Sequence, residues 1–475
     1  MQANMYNPVS TYRLQFNKHF TLHHAEELVG YFSLLGVKTI YASPIFKAVP
    51  GSLHGYDVVN PYEINPEIGD IKKLRSVIAK FKEKGIGWIQ DIVPNHMAFH
   101  HSNPWLFDVL EKGSQSAFAH VFDITWTNDF FHGRLMVPFL DGELTTVIDR
   151  NELKIVYWQD RLCLRYGDQY YPLNSRTYGN LLTDSEQFNS MSVFSDQLNE
   201  IHHLTDVVQY GIRWHEILLQ FASLMSDANA RRHMEELLQV FNEDHDKLTK
   251  VCDDQHYRLC DWRETETQIN YRRFFLVNGL LCLNMRSETV FARYHDTIKL
   301  LVQEGLFDGL RVDHIDGLYD PKQYLSWLRN MCGPDCYIVV EKILEYNERL
   351  DSRLPIQGTT GYEFLSYVNN ILTRSSAENS FSSFYRSITD DKKSINVKIR
   401  EKKAFILSRS MQGELDNLHN FFIAHNLVND VEISPEMMRE AIGEFLIQLP
   451  VYRYYGNSFP LEIEEQENVK HVLHA

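Results

Sequence analysis

Short apolar runs alternate with helix-spaced apolar residues along the first third of the chain. Runs at 10–16, 39–46 and 87–93 predict buried strands, because parallel strands covered on both faces read as nearly continuous apolar stretches. Between them, residues 22–35 and 71–84 carry apolar side chains at helical spacing and are followed by a glycine, which predicts helices. This order predicts a parallel sheet whose strands are joined by helices.

The alternation stops after this first part and returns late in the chain. Strand-like stretches at 153–158 and 162–166 predict a small β unit, and a long helical pattern rich in Glu, Leu, Gln and Lys follows it. Two further apolar runs, 309–313 and 337–341, then resume the strand and helix order. Beyond them almost everything has a helical pattern.

We therefore expect an α/β chain built on a (β/α)8 TIM-type barrel, with five recognisable strands and the closing strands missing. A large inserted β-plus-helical region interrupts the barrel, and a helical C-terminal segment follows it. The predicted division is a first barrel part at 1–105, an inserted β-rich subdomain at 106–194, an inserted helical subdomain at 195–303, a second barrel part at 304–365 and a helical segment at 366–475.

Composition narrows the class of ligand. The 475 residues include 47 Lys and Arg against 63 Asp and Glu, which gives a net charge of −16, and a surface this acidic argues against nucleic acid or anionic membrane as a partner. Aromatic residues reach 13%, which suits an uncharged ring such as a sugar, although a Tyr- and Phe-rich core explains the same number. The first residues lack the pattern of a secretory signal, so we expect a cytoplasmic protein.

No metal or organic cofactor is expected. The six cysteines form no C-x-x-C pair and no Cys/His ladder, so neither a zinc site nor a disulfide framework is indicated. The most apolar window, 274–285, is too short for the ~20 residues that span a bilayer. The sequence gives no oligomeric state.

Polar residues stand at the ends of three of the predicted strands. In a parallel α/β barrel these ends converge on one face, where active sites are assembled. Taken singly, such an acid is more often a helix cap or an ion-pair partner. The residues concerned are Asp91, Asn95, His96, Arg311, Asp313 and Glu341.

The spacing of Asp313 and Glu341 along the chain favours a functional role for them over a role as helix caps. Arg311 and Asp313 are two residues apart, so both side chains lie on one face of their strand, and the guanidinium would keep the carboxylate ionised. Asp313 and Glu341 are separated by about 30 residues, the length of one strand–helix–strand unit. Two carboxylates at one barrel mouth are the apparatus of glycoside chemistry.

A loop-like cluster, His54-Gly55-Tyr56-Asp57, offers a ring that could stack on a sugar and an acid that could bind its hydroxyls. The alternative is a glycine turn with a buried tyrosine. The cluster by itself does not decide between them.

Several runs resemble the ordered signature regions of the α-amylase family of retaining glycosidases and transglycosylases. These are Asp-Ile-Val-Pro-Asn-His at 91–96, Gly-Leu-Arg-Val-Asp at 309–313 and the strand-end Glu341. Longer runs look like the maltooligosyltrehalose synthase branch of that family and extend over nearly the whole chain. They lie at 10–15, 270–275, 313–318, 341–344, 358–362 and 450–453.

The resemblance implies roles for the strand-end residues. Asp313 would be the nucleophile, Glu341 the acid/base and Arg311 the residue that positions Asp313. Asp91 would support Arg311. The implied contacts to the transferred sugar are Tyr56, Asp57, Asn95 and His96. The implied substrate is a maltooligosaccharide or α-1,4-glucan, and the implied reaction converts its reducing-end α-1,4 linkage to an α,α-1,1 linkage by a retaining double displacement.

Two departures from the family pattern complicate this expectation. Typical amylases have Lys and His three and four residues after the nucleophile, whereas this chain has Asp316 and Gly317, which argues against simple amylase activity. The family's third carboxylate, an Asp that follows a His, is not found after Glu341. We therefore expect a C-terminally truncated chain with weak or no activity. The alternatives are a catalytically dead glucan-binding remnant and an amylase-type hydrolase.

Overall fold

The computed structural model describes residues 6–183, 189–346, 348–427, 433–456 and 459–474. Its strands in chain order are β1 (Thr11–Leu14), β2 (Thr39–Ala42), β3 (Phe46–Ala48), β4 (Val58–Ile64), β5 (Gly87–Ile92), β6 (His96–Ala98), β7 (Leu135–Leu140), β8 (Leu153–Trp158), β9 (Arg161–Tyr166), β10 (Gln169–Pro172), β11 (Tyr257–Asp261), β12 (Arg273–Phe274), β13 (Val277–Cys282), β14 (Gly309–Val312), β15 (Tyr337–Val340) and β16 (Gly358–Thr359).

The helices fall between and after these strands. They are α1 (Leu22–Glu27), α2 (Val29–Leu35), α3 (Ile71–Glu83), α4 (Pro104–Lys112), α5 (Leu144–Asp149), α6 (Ser175–Thr183), α7 (Asn189–Ile201), α8 (Val207–Met225), α9 (Ala228–Glu243), α10 (His245–Asp253), α11 (Glu288–Tyr294), α12 (Asp296–Gln303), α13 (Pro321–Cys332), α14 (Tyr362–Ile371), α15 (Glu378–Thr389), α16 (Ile395–Ser410), α17 (Gln412–Ala424), α18 (Pro435–Gln448) and α19 (Ile463–His474).

The main sheet has the strand order β1-β2-β5-β14-β15-β16, and all of its described pairs are parallel. With its helices it forms part of a (β/α)8 barrel, as the sequence predicts. The strand count differs, because six strands pair where five were expected. The sixth, β16, has only two residues, Gly358 and Thr359, and so carries no apolar run that could mark it in the sequence.

Helix α3 shows how the local sequence forms the barrel wall. The Asp70 side chain caps the helix by accepting from the Lys73 backbone N–H at 2.7 Å. Its buried face includes Leu74, Ile78 and Phe81, at the spacing that a helix needs for one apolar stripe. The Phe81 ring lies 6.0 Å from the Trp88 ring of β5. The helix thus covers the outer face of the central strand.

The predicted helix at 22–35 is two helices, α1 and α2, that meet at Leu28. Leu28 has ψ near 0°, outside the helical region, and its N–H bonds to Ala25 in a tighter turn. Gly36 ends α2 with a φ of 81°, a left-handed conformation that suits a residue without a Cβ.

The inserted region is joined to the barrel through a small sheet. Strands β8, β9 and β10 form an antiparallel sheet, and β7 pairs with β11. Strand β6, which follows β5 in the chain, pairs with β13 from the end of the insertion. The insertion therefore begins and ends beside the carboxyl end of β5. Its division at 106–194 and 195–303 stays a prediction.

The C-terminal helices pack differently from the barrel helices. Among the described side chains of α14, α15 and α16, none is buried. Helix α15 exposes Phe381, Phe384, Tyr385 and Ile388, which share one face at helical spacing. None of the described helices combines the length and the apolar character that crossing a bilayer requires.

Candidate active site

Strand register places the predicted residues on one face of the sheet. Asp91 of β5 lies directly beside Arg311 of β14. Beyond Arg311, the Asp313 N–H bonds to the carbonyl of Ile92 at 2.9 Å. The Glu341 N–H bonds in turn to the carbonyl of Val312 at 2.8 Å, so the ladder continues past the ends of the strands. Neighbouring strands therefore present these side chains together.

Arg311 joins the three carboxylates. Its Nη1 lies 2.8 Å from Asp91 Oδ1 and 2.6 Å from Asp313 Oδ1, and its Nη2 lies 3.3 Å from Glu341 Oε2. The Arg311 side chain is only 7% exposed, so water screens these pairs little. Asp313 and Glu341 thus meet at the two ends of one guanidinium.

Asp91 is held on its other side by three donors. Its Oδ2 accepts from the Tyr56 hydroxyl at 2.6 Å, the Tyr41 hydroxyl at 3.1 Å and Arg13 Nη1 at 3.4 Å. Burial raises the pKa of both tyrosines, and the Asp91 charge raises it further, so the phenols stay protonated and donate. Asp91 therefore contacts Arg311, and the supporting role that the family resemblance implies for it stays a prediction.

Asp313 sits in an environment that disfavours its charge. Burial raises the pKa of Asp313 above its ordinary range, and the negative charges of Asp91 and Glu341 raise it further. The Arg311 guanidinium opposes this shift. Because three carboxylates crowd one guanidinium, a proton can be retained in this cluster near neutral pH.

A cavity of about 700 Å³ opens over these groups. Its lining includes the charged residues Arg311, Asp313 and Glu341. Apolar and aromatic side chains also line it, and this mixture is typical of small-molecule sites. They include Phe274, Leu280, Tyr362 and Leu365. Within the described ranges no group of three or more His, Cys, Asp or Glu side chains is arranged to hold a metal ion.

His96 begins β6 and lines the same cavity. Burial lowers the pKa of His96 to about 3, so the ring is neutral at physiological pH. Its Nδ1 lies 3.3 Å from the Asn95 amide, whereas its buried Nε2 has no hydrogen-bond partner among the described residues. A buried nitrogen without a partner is costly, so this atom suits a ligand hydroxyl.

Two of the predicted sugar contacts lie off the cavity wall. The Asp57 carboxylate turns into its own loop, where Oδ1 accepts from Ser52 Oγ at 2.5 Å. The Asn95 carbonyl oxygen accepts from Arg272 Nη1 at 3.3 Å. Both side chains therefore have protein partners. Contact with a ligand stays a prediction for them, whereas Tyr56 does line the cavity.

Other cavity residues were not singled out from the sequence. Arg13 of β1 and Tyr41 of β2 are register partners, and the guanidinium lies 4.5 Å from the Tyr41 ring centre. Both are polar residues inside predicted strands, and this position in an otherwise apolar run could have marked them as site residues. Phe274 lies in the run at 270–275 that resembles the family, but no role was predicted for it, and it reaches the cavity from the insertion.

The loop after β14 has an unusual backbone. His314 has a φ of 45°, a left-handed conformation that non-glycine residues rarely adopt, and its N–H donates to Glu341 Oε2 at 2.9 Å. Gly317 packs against the His314 ring, and an added Cβ there would lie 2.5 Å from Asn95 Oδ1. Position 317 thus has no room for a side chain.

Comparisons with known proteins agree with this geometry. Residues 24–129 match the model of the alpha amylase catalytic domain. Over 423 residues the chain is 31% identical to a putative maltooligosyl trehalose synthase of Mycobacterium tuberculosis, which covers 88% of this chain and 45% of that protein. Over this stretch the chain is similar in sequence to maltooligosyltrehalose synthases.

Solved structures extend the likeness to the fold. The maltooligosyltrehalose synthase of Arthrobacter ramosus superposes with a TM-score of 0.74 at 28% identity, over 98% of this chain and 50% of that one. A hypothetical maltooligosyl trehalose synthase of Sulfolobus tokodaii gives 0.72 at 31% identity, over 98% and 51%. The family resemblance and the barrel fold are confirmed. The chain spans about half the length of these maltooligosyltrehalose synthases.

Proposed function

We propose that this protein is an intramolecular transglycosylase that converts the reducing-end α-1,4 linkage of a maltooligosaccharide to an α,α-1,1 linkage. The observation that carries the proposal is the pair Asp313 and Glu341, which contact opposite nitrogens of Arg311 at one cavity. A retaining double displacement needs two carboxyl groups about 5 Å apart. The likeness to maltooligosyltrehalose synthases, whose names state the product, supports the choice of reaction.

In the first step Asp313 acts as the nucleophile. A carboxylate oxygen of Asp313 attacks the anomeric carbon of the penultimate glucosyl unit. Glu341 protonates the glycosidic oxygen, which leaves with the terminal glucose, and the C–O bond to that glucose breaks. The product is a covalent β-glycosyl ester of Asp313. Arg311 holds the attacking carboxylate in place and offsets its charge.

In the second step the released glucose turns in its pocket. Its own anomeric hydroxyl gives its proton to Glu341 and attacks the ester carbon, and the bond to Asp313 breaks. The result is a 1,1 linkage with the original configuration, because two inversions restore it. Glu341 returns to its protonated state, so the cycle needs no other proton source.

His96 and Tyr56 are proposed to bind the sugar that forms the ester. The free His96 Nε2 can bond one hydroxyl without competing with a protein partner. Tyr56 lines the cavity while its hydroxyl donates to Asp91, so the phenol ring is fixed in orientation. Fixed groups bind a ring at lower entropic cost than mobile ones.

The test is incubation of the protein with maltopentaose, followed by separate measurement of non-reducing product and of new reducing ends. Conversion to a non-reducing pentasaccharide without release of reducing ends is the expected result. Release of reducing ends would indicate an amylase-type hydrolase instead. Binding of maltopentaose without any product would indicate a glucan-binding remnant, and either result contradicts the proposal.

A further inference from the structure

Asp316, where typical amylases have Lys, contacts a residue in the loop that carries Glu341. Asp316 lies in the loop after β14, and Lys342 directly follows Glu341 in the loop after β15. Lys342 Nζ lies 3.3 Å from Asp316 Oδ1 and 3.2 Å from Asp316 Oδ2. The side chains are 5% and 8% exposed. This ion pair therefore joins the two loops below the surface.

Three further contacts fix the pair. Lys342 Nζ also bonds Glu348 Oε1 at 2.7 Å. The Tyr455 hydroxyl donates to Asp316 Oδ1 at 2.8 Å. Arg453 donates to the backbone carbonyl of Asp316 at 2.8 Å. The charged groups of Asp316 and Lys342 thus have hydrogen-bond or ion-pair partners in the loop after β15 and in the C-terminal segment.

The pair lies next to the hydrogen bond that orients Glu341. Glu341 Oε2 accepts from the His314 N–H at 2.9 Å, and His314 holds an unfavourable left-handed conformation. Such a conformation persists only where its surroundings impose it. Two residues on, Asp316 is clamped to Lys342, and Arg272 bonds the Gly317 carbonyl. The Asp316–Lys342 contact therefore lies two residues along the chain from the N–H that bonds Glu341.

We propose that the Asp316–Lys342 ion pair is a positioning pair that sets the placement of Glu341 relative to Asp313. The roles of these two acids rest on the proposed function. A buried ion pair contributes little net stability compared with apolar residues of the same size, whereas it does fix one geometry. Neither Asp316 nor Lys342 lines the cavity, so the pair acts through the loops and not on the substrate.

The main test compares Lys342→Met with wild type. We expect kcat on maltopentaose to fall about 100-fold, because a shift of about 1 Å at a catalytic group costs that much, while KM stays within about threefold. Asp316→Asn should give the same direction with a smaller loss, since Tyr455 can still bond the amide. The double variant should lose less than the product of the two single losses, because the residues act as one unit.

A matched control removes a buried ionic carboxylate elsewhere. Glu111 is 3% exposed and lies 3.0 Å from Arg161 Nε in the insertion. Glu111→Gln should lower the midpoint of thermal unfolding, as Asp316→Asn does, but leave kcat close to wild type. A loss of kcat in Lys342→Met no greater than in Glu111→Gln would overturn the proposal.

A crystal structure of Lys342→Met tests the positioning without any turnover. The expected result is loss of the 2.9 Å contact between Glu341 Oε2 and the His314 N–H. An unchanged contact overturns the proposal. If wild type only releases reducing ends, the proposed function fails, and the same kcat comparison is made on hydrolysis. If wild type does not turn over, the crystal structure alone decides.

Discussion

The strand ends of the barrel bury charged side chains, whereas the helices after β16 expose large apolar ones. At the strand ends, charged residues such as Arg311 and Asp313 are buried and bond one another. In α15, large apolar residues such as Phe384 and Ile388 stand exposed. The charged groups of the site thus come from β1, β5, β14 and the loops after β14 and β15. Helix α14 adds Tyr362 and Leu365 to the cavity lining, but no described side chain of α14 to α16 is buried.

The two regions differ because burying a charge without a partner costs far more free energy than exposing an apolar side chain. A buried charge must have its partners close by, so the cluster is complete within a few strands. An apolar face costs less per atom when exposed, and a large exposed one marks a surface that another element can cover. The four predictions that follow test whether the strand ends carry the activity and whether α15 contributes stability.

The largest expected effect is the loss of the proposed nucleophile. Asp313→Asn should lower kcat on maltopentaose by about 10⁴-fold, since an amide cannot form the glycosyl ester. The control is Asp227→Asn at the start of α9, where asparagine caps a helix as well as aspartate does. Asp313→Asn activity above about a hundredth of wild type would mean that the reaction does not pass through this ester.

The barrel core should respond strongly to truncation. Phe81 is fully buried against Trp88, so Phe81→Ala should lower the free energy of unfolding by about 3–5 kcal/mol. Urea denaturation followed by tryptophan fluorescence measures this change. A loss below about 1 kcal/mol would show that neighbouring side chains move in to fill the space that the Phe81 ring leaves.

The pH dependence tests the charge state of the strand ends. Burial raises the pKa of Asp313 to about 7. The nucleophile must be ionised, so kcat/KM should fall as the pH decreases through that value, by about tenfold per pH unit. The acid limb of the pH profile of kcat/KM measures it. A limb centred near the ordinary aspartate value of about 4 would contradict the crowding of charges around Arg311.

The smallest effect is expected in α15. Phe384 is 63% exposed, so Phe384→Ala should change the free energy of unfolding by no more than about 0.5 kcal/mol. The same urea experiment applies, and Phe81→Ala is the matched substitution. A loss as large as that of Phe81→Ala would mean that α15 buries this face in solution and would remove the contrast between the two regions.

The shared face of Arg311 and Asp313 could be predicted from the sequence because period-two spacing is a local property. Arg311 and Asp313 share a face whenever their strand is extended, so no knowledge of the partner strands is needed. The family resemblance implied that Asp91 supports Arg311, whereas the pairing of β5 with β14 and its register come from the structure. The short strand β16 was out of reach, since two residues show no period.

Contacts between distant loops could not be predicted in the same way. Lys342 and Asp316 meet through two loops whose shapes depend on Arg272, Arg453 and Tyr455, and these come from the insertion and the C-terminal segment. Asp57 illustrates the converse. The sequence could not show that the nearby Ser52 hydroxyl donates to its carboxylate, and its contact with a ligand stays a prediction.

Position 317 limits which side chains the loop after β14 can hold. Any residue larger than glycine there must displace the His314 ring and press on Asn95 before it can reach toward a sugar. Gly317→His, which introduces the residue that typical amylases carry, would therefore disturb the hydrogen bond from the His314 N–H to Glu341 before the new side chain could reach a sugar.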